Sequence, residues 1–368
     1  MTRYLFSSHD GFGLGHVRRN SLIARAILAD DPTAEVMVVT GLPVKPSWLD
    51  DHRIEVVRVP ALLKDGDGTY RNAGMPFEQA VQCRADIFDQ TIAAWRPDVC
   101  IVDRHPYGTA GELRPGLDRA RDLGAAVVLG LRDVLDEPDV VRRELAGEGW
   151  RGVADDFDAL LVYGQQSLCD HQLEYGLSVP PIYCGWVVEQ AAPRPRASNL
   201  LVVTAGGGGD GDQIFQLGLG LARQLVDQRV ILVAGPYARS ADVSDPALEG
   251  RVELRQNVPS CVSLFAEASA VVQMAGYNST VESLATGLRP VLMPRRSPRR
   301  EQAIRASRLA ALGLADVVDE GAAVDEVAWL LSRPRLLAPG QLADAGLDLD
   351  GARTAASVLR ELASVVAR

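Results

Sequence analysis

The stretch from Ala268 to Leu312 constrains what this chain can fold into more than any other. An apolar run from Ala270 to Met274 predicts a buried strand, Ala275 and Gly276 a tight small-residue turn, and a helix is expected to open at Asn278. A second apolar run, Pro290–Met293, follows, then an arginine-rich loop and another helix from about Glu301. A strand ending in a small turn before a helix gathers backbone N–H groups and the positive end of a helix dipole, a ready seat for phosphate. Asn278, Ser279 and Thr280 are good N-cap residues. Glu282 follows within one helical turn, close enough to reach a ribose diol if a nucleotide phosphate occupies that helix end. The same Asn-Ser-Thr-x-Glu run also reads as a plain capping box.

The rest of the chain repeats the strand-then-helix rhythm. Strands are expected at Tyr4–Ser8, Glu35–Gly41, Ile54–Pro60, Pro97–Asp103, Ala125–Asp133, Phe157–Gly164 and Pro181–Trp186. Helical patterns fill most gaps: Val17–Leu28, Phe77–Trp95, Leu113–Leu123 and Val140–Leu145. Near-continuous apolar runs such as Val99–Val102 and Ala126–Leu129 suit strands covered on both faces, as in a parallel sheet. The proline-containing run Gln190–Ser198 breaks the rhythm, which restarts with strands at Leu200–Thr204, Val230–Ala234, Val252–Gln256, Val271–Met274, Pro290–Met293 and Val317–Asp319 and a helix at Gln213–Val226. The expected division is a first α/β domain over 1–189, a linker over 190–198, a second α/β domain over 199–350, and a terminal helix over 351–368 free to pack back on the first domain. Two doubly wound parallel sheets with a cleft between them, ligands at the carboxyl ends of strands, is the economical reading. The segment Leu63–Met75 reads as a long polar glycine-rich loop, either for acceptor recognition or a surface excursion.

At 368 residues the chain is long enough for two substantial cores, with 47% hydrophobic and 23% charged residues. A formal net charge of −10 disfavours nonspecific binding to nucleic acid or anionic lipid. Five scattered cysteines without Cys-x-x-Cys spacing argue against a disulfide framework or zinc site and fit a reducing cytoplasm. No leader segment or membrane-length apolar run is read from the sequence, so a cytoplasmic, soluble protein is expected, with peripheral membrane contact left open.

Two further glycine loops follow first strands. Ser7–His16 contains Gly11, Gly13 and Gly15, yet lacks both the Gly-x-Gly-x-x-Gly spacing and an acidic residue closing the second strand, which ends in Thr40 and Gly41. A nicotinamide cofactor is therefore disfavoured. The run Thr204–Gly211 holds four consecutive glycines, Gly206–Gly209, followed by Asp210, without the Gly-Lys-(Ser/Thr) ending of an ATP-hydrolysing loop. Asp103 and His105 stand at the end of one expected strand and Asp133 at the end of the next, with salt bridging to nearby arginines the plainer role. Arg295, Arg296, Arg299 and Arg300 cluster before Glu301; such runs are usually solvated, though here they stand where a phosphate or an anionic acceptor would sit.

With these parts in order, the 268–312 block resembles the donor-nucleotide half of GT-B glycosyltransferases, of the branch containing the lipid II-forming N-acetylglucosaminyltransferase. The matching parts are Ala275-Gly276-Tyr277-Asn278-Ser279-Thr280, Glu282, Gly287-Leu288-Arg289-Pro290 and Glu301-Gln302. The resemblance implies two Rossmann-like domains facing across a cleft and transfer of a sugar from a nucleotide-diphosphate sugar, UDP favoured, to a hydroxyl, with inversion and without metal. It implies a donor site of Gly207, Gly208, Gly209, Asp210, Gly276, Asn278, Ser279, Thr280, Glu282 and Arg295, with Glu301 and Gln302 on the sugar hydroxyls. Asp210 departs from the small hydroxyl residue usual there. Gly13-Leu14-Gly15-His16 loosely resembles the family's acceptor loop, which makes His16 the expected base, kept neutral by its place at a helix start. His9 and Asp10 are alternatives, and Asp103 or Asp133 would orient His16 or bind acceptor. His9, Asp10, Gly13, Gly15 and His105 are expected to line the acceptor side.

No cofactor is expected beyond the donor co-substrate, and no resident metal, although Asp210 and Asp212 keep a magnesium site open. Expected partners are the nucleotide sugar and a small-molecule or lipid-linked acceptor, with a homodimer possible. Sugar-nucleotide epimerisation on the same architecture, or noncatalytic nucleotide-sugar binding, are the rival readings.

Overall fold

The computed structural model describes residues 1–8, 14–43, 45–64, 69–192, 194–205, 211–235, 245–256 and 258–366. It divides into two compact units, Met1–Val187 with Asp350–Arg368, and Val188–Leu349.

In the first unit the strands are β1 (Arg3–Ser7), β2 (Glu35–Thr40), β3 (Ile54–Arg58), β4 (Leu63–Lys64), β5 (Tyr70–Arg71), β6 (Val99–Asp103), β7 (Ala126–Arg132), β8 (Ala159–Tyr163) and β9 (Pro181–Tyr183). Among the described residues seven of them form a parallel sheet in the order β3-β2-β1-β6-β7-β8-β9. Its crossovers carry α1 (Gly15–Asp30), α2 (Phe77–Trp95), α3 (Arg114–Asp122), α4 (Pro138–Leu145), α5 (Val153–Asp156) and α6 (His171–Tyr175). Every residue of β6 and β8 is buried, the reason their sequences run apolar without alternation. Part of the expected 63–75 loop is instead a short antiparallel hairpin, β4 against β5. A ladder of two residue pairs is too brief to leave a periodic trace in sequence.

The second unit repeats the plan. Its strands β10 (Leu200–Thr204), β11 (Arg229–Ala234), β12 (Val252–Gln256), β13 (Ala270–Gln273), β14 (Val291–Leu292) and β15 (Asp316–Val317) order as β12-β11-β10-β13-β14-β15, all neighbours parallel. The helices are α7 (Asp212–Gln224), α8 (Val262–Glu267), α9 (Tyr277–Ala285), α10 (Glu301–Ala311), α11 (Val324–Leu331) and α12 (Gln341–Asp344). Both faces of β10 are covered: Leu201 and Val203 pack with Ile214 and Leu221 of α7, whereas Leu200 and Val202 pack with Leu264 and Phe265 of α8.

The last helix, α13 (Gly351–Val366), belongs to the first unit and lies on α1, with Arg360 Nη2 3.0 Å from Asp30 Oδ2. Ala355, Ala356 and Leu359 form its buried stripe.

In each unit the chain winds outward in one direction from the first strand, then returns to lay the fourth long crossover strand on its other side. The order therefore reverses between β1 and β6, and again between β10 and β13. Neighbouring helices diverge at such a point, so the carboxyl ends of those strands are where an open α/β sheet takes its ligand.

Candidate functional site

At the first reversal, α1 leaves β1 and its second residue is His16. Asp103 is the last residue of β6, which pairs directly with β1. The two side chains meet: His16 Nδ1 lies 3.0 Å from Asp103 Oδ2. Arg19, one turn further along α1, places Nη2 2.7 Å from Asp103 Oδ1, 2.6 Å from Oδ2 and 3.3 Å from His16 Nδ1. Asp103 and Arg19 are buried; His16 keeps 18% of its side chain exposed. Burial alone would raise the Asp103 carboxyl, but Arg19 and His16 outweigh it and hold it at about 2. Burial pushes the His16 imidazole below the usual histidine range, against the pull of Asp103 and with the help of Arg19 and Arg132. The result is an anionic carboxylate against a neutral imidazole.

The neighbouring strands support this cluster. Tyr163, at the end of β8, lies under the Arg19 guanidinium, 4.9 Å from ring centroid to Cζ. The ring fits because β7 carries Gly130 opposite Asp103; a Cβ there would stand 2.4 Å from the Tyr163 hydroxyl. After Asp103, Arg104 takes φ +76°, unusual for a residue with a side chain, and is held by its N–H on Gly130 O and by Glu144 at 3.2 Å. That turn brings the His105 N–H onto Asp103 O at 3.0 Å and leaves His105 half-buried.

Of the two aspartates offered as partners for His16, Asp103 lies within hydrogen-bonding distance of its Nδ1. Asp133 is engaged with the Val134 N–H at 2.7 Å and the Trp186 indole N–H at 3.3 Å. Gly15 is the first residue of α1, whereas His9, Asp10 and Gly13 lie outside the described residues.

At the second reversal, α9 opens one residue earlier than the sequence suggested. Gly276 is its N-cap, in extended conformation and without a side-chain cap, so Asn278, Ser279 and Thr280 lie inside the first turn rather than capping it. The Ser279 hydroxyl turns back onto Gly276 O at 3.4 Å. Behind the turn, Gln273 Nε2 donates to Ser283 Oγ at 2.7 Å, and that hydroxyl donates to Thr280 O at 2.8 Å, tying β13 to α9. Wholly buried Arg305 of α10 donates to Ala275 O at 2.8 Å and fixes the turn from below. Glu282 is buried and accepts the Cys261 N–H at 3.2 Å, at the start of α8.

Glu301 and Gln302 open α10, buried, and converge on Arg295. Glu301 Oε1 is 3.0 Å from Arg295 Nη2, and Gln302 Oε1 accepts the Arg295 N–H at 3.3 Å. Arg296 pairs with Asp319. The neighbouring glycine loop leaves β10 at Ala205 and returns at Gly211, where a Cβ would stand 2.4 Å from that of Ala205. Gly207, Gly208, Gly209 and Asp210 lie outside the described residues. Among the described residues no three of His, Cys, Asp and Glu are grouped to hold a metal, and no helix is long and apolar enough to cross a membrane.

Sequence reading missed Arg19 and Arg305. Both are buried arginines one helical turn from a residue the sequence had singled out, Arg19 three residues from His16 and Arg305 three from Gln302, and that spacing is the signal that was available.

No protein-family model matches the sequence, and no curated protein matches it. Solved structures do match. The glycotransferase of kitacinnamycin superposes with a TM-score of 0.64 at 15% identity, covering 99% of this chain and 97% of its own. A UGT transferase from Siraitia grosvenorii in complex with UDP gives 0.61 at 14% identity, over 98% and 100%. MurG of Acinetobacter baumannii gives 0.59 at 14% identity, also over 98% and 100%. These likenesses, with two parallel sheets of reversing strand order, give the chain the GT-B fold.

Proposed function

We propose that the protein is a glycosyltransferase that moves a sugar from a nucleotide-diphosphate sugar to a hydroxyl acceptor, with inversion and without a metal. The observation that carries this reading is the His16–Asp103 pair at the sheet reversal of a GT-B chain. In this reading His16 Nδ1–H donates a hydrogen bond to the ionised Asp103, which leaves the Nε2 lone pair to act on an acceptor hydroxyl. As the hydroxyl attacks the anomeric carbon, its proton passes to Nε2, and the C–O bond to the donor phosphate breaks. Attack from the face opposite the leaving group inverts the configuration.

The second unit would hold the donor. Main-chain N–H groups at the start of α9 face the departing diphosphate, each favourable charge contact with a helix end contributing about 0.3–1 kcal/mol. Gly207–Gly209 and Asp210 are assigned to the same phosphates, Glu282 to the ribose, and Arg295, Glu301 and Gln302 to the sugar side. UDP is the favoured nucleotide because one of the similar proteins was crystallised with it.

The test is a thermal-shift panel of UDP, GDP, dTDP and their sugars, followed by mass spectrometry of donor and acceptor mixtures with and without EDTA. UDP-sugars should raise the melting temperature, and product should form only with an acceptor present. An epimer formed from UDP-sugar alone would replace this reading with epimerisation. The absence of a shift with every nucleotide sugar would remove it.

A further inference from the structure

The run Gln190–Ser198 was expected as a linker, yet Arg196 reaches from it into the second unit, to which it belongs. Its guanidinium fork divides between two helix ends. Nη1 donates to Phe265 O at 2.9 Å and to Ala268 O at 2.8 Å, where α8 stops, and Nη2 donates to Thr286 O, where α9 stops. Among the described residues no carboxylate meets it; Glu267 pairs with Arg194 instead, at 2.5 Å. Burial pushes the Arg196 guanidinium below the usual arginine range. What offsets its charge is the negative end of two helix dipoles.

The end of α9 is built to present that carbonyl. Gly287, at φ +78°, closes the helix with its N–H on Leu284 O at 2.9 Å, while the Leu288 N–H reaches Ser283 O at 3.1 Å. The Thr286 carbonyl lies beyond this closure and is taken up by Arg196. The same two helices are joined a second time by the Cys261 N–H on Glu282 Oε2 at 3.2 Å. So α9 is gripped at its carboxyl end, whereas its glycine N-cap brings no side-chain cap to the other. Nine residues of helix are only about 13 Å long and move as one rod, so a slip at one end is passed to the other.

We propose that Arg196 is a positioning residue for the donor nucleotide: by tying the carboxyl ends of α8 and α9 together it sets where α9 stands along its axis, and so how closely the N–H groups of its first turn approach a diphosphate. The inference rests on the glycosyl-transfer reading, which puts the diphosphate at that turn. An arginine suits the task because its planar fork can serve two helices at once, which a single ammonium on a flexible stem does poorly.

The experiment compares the full-length wild type with Arg196→Met and Arg196→Lys. Each is titrated calorimetrically with whichever of UDP, GDP and dTDP shifts the wild-type melting temperature most, and amide hydrogen exchange of α9 is followed without nucleotide. Arg196→Met should speed exchange in α9 and weaken nucleotide binding by about threefold or more. Arg196→Lys keeps the charge but not the two-helix span, and should weaken binding by a smaller factor; it decides the matter if Arg196→Met does not fold. Unchanged affinity in the folded variant overturns the proposal, and faster exchange with unchanged affinity does so too, since it leaves Arg196 a helix cap and no more. Affinity lost while exchange in α9 stays as in the wild type also overturns it. A wild type that binds none of the three nucleotides sinks the glycosyl-transfer reading itself, whereas a wild type that binds no better than its variants sinks this inference alone.

Discussion

The two sheet reversals are built on the same strand order and furnished with opposite chemistry. At the β1/β6 reversal the groups are titratable side chains: a partly exposed imidazole on a buried, ionised carboxylate and guanidinium. At the β10/β13 reversal the groups are a glycine N-cap without a side-chain cap, and side chains such as Gln273, Ser283 and Arg305 that brace the backbone from behind. The first arrangement suits moving a proton, whose position depends on charge balance. The second suits holding an anion that departs with its charge, which fixed dipoles do without any change of protonation. The two α/β units, wound in the same strand order, thus offer one place of each kind.

The contrast can be broken at either end. The largest effect is expected from His16→Gln: kcat should fall by about 100- to 10,000-fold, while the thermal shift produced by UDP stays as in the wild type. Equal loss of nucleotide binding would mean the chemistry is not divided in this way.

Asp103→Ala should cost about 3–5 kcal/mol of stability, because it leaves Arg19 buried without its counter-ion. Urea unfolding measures this, and a cost below 1 kcal/mol would show that the pair is not shielded from water. Asp103→Asn, which keeps the shape, should lose most of the activity of the pair.

The same carboxylate predicts an acid window. It is ionised in the folded protein down to about 2, against a value near 3.8 when unperturbed. Its stabilising contribution is therefore complete above about pH 4 and is lost as pH falls toward 2, about 2 kcal/mol in all. Urea unfolding across that window should show the wild type converging on Asp103→Asn; parallel curves would contradict the assignment.

The smallest effect tests the other reversal. Gly276 has ordinary negative φ, and among the described residues a Cβ there meets only Ser279 Oγ at 3.6 Å, so Gly276→Ala should fold normally. It should nonetheless weaken UDP binding by about tenfold, roughly 1.4 kcal/mol, by holding a ligand off the helix end. Unchanged affinity in isothermal calorimetry would mean that no ligand approaches this turn closely.

Much of this was legible in the sequence, for reasons that differ from place to place. The strands of the first sheet were readable as short apolar runs, most plainly β6 and β8, where burial of every residue keeps the run apolar up to Asp103 at the end of β6. The helix at Phe77–Trp95 was readable to the residue because its apolar positions recur with the helical period and Pro76 marks its start. The start of α9 was read one residue late: three capping-type residues in a row suggested a side-chain cap, and the backbone used Gly276 instead. The carboxylate partner of His16 stayed ambiguous between Asp103 and Asp133, two residues of the same type at the ends of adjacent strands.

What the sequence determined by itself was the succession of strands, helices and glycine turns, because each is set by residues within a few places of one another. What only the tertiary structure decided was which charges meet. Arg19 and Asp103 are 84 residues apart, and nothing local distinguishes that aspartate from Asp133. The pairing of β6 against β1 puts Asp103 beneath the first turn of α1, and Gly130 in the next strand leaves space for the Tyr163 ring under the guanidinium. Burial at that point makes each charge depend on its partner, and burial is a property of the packed sheet rather than of any segment of the chain.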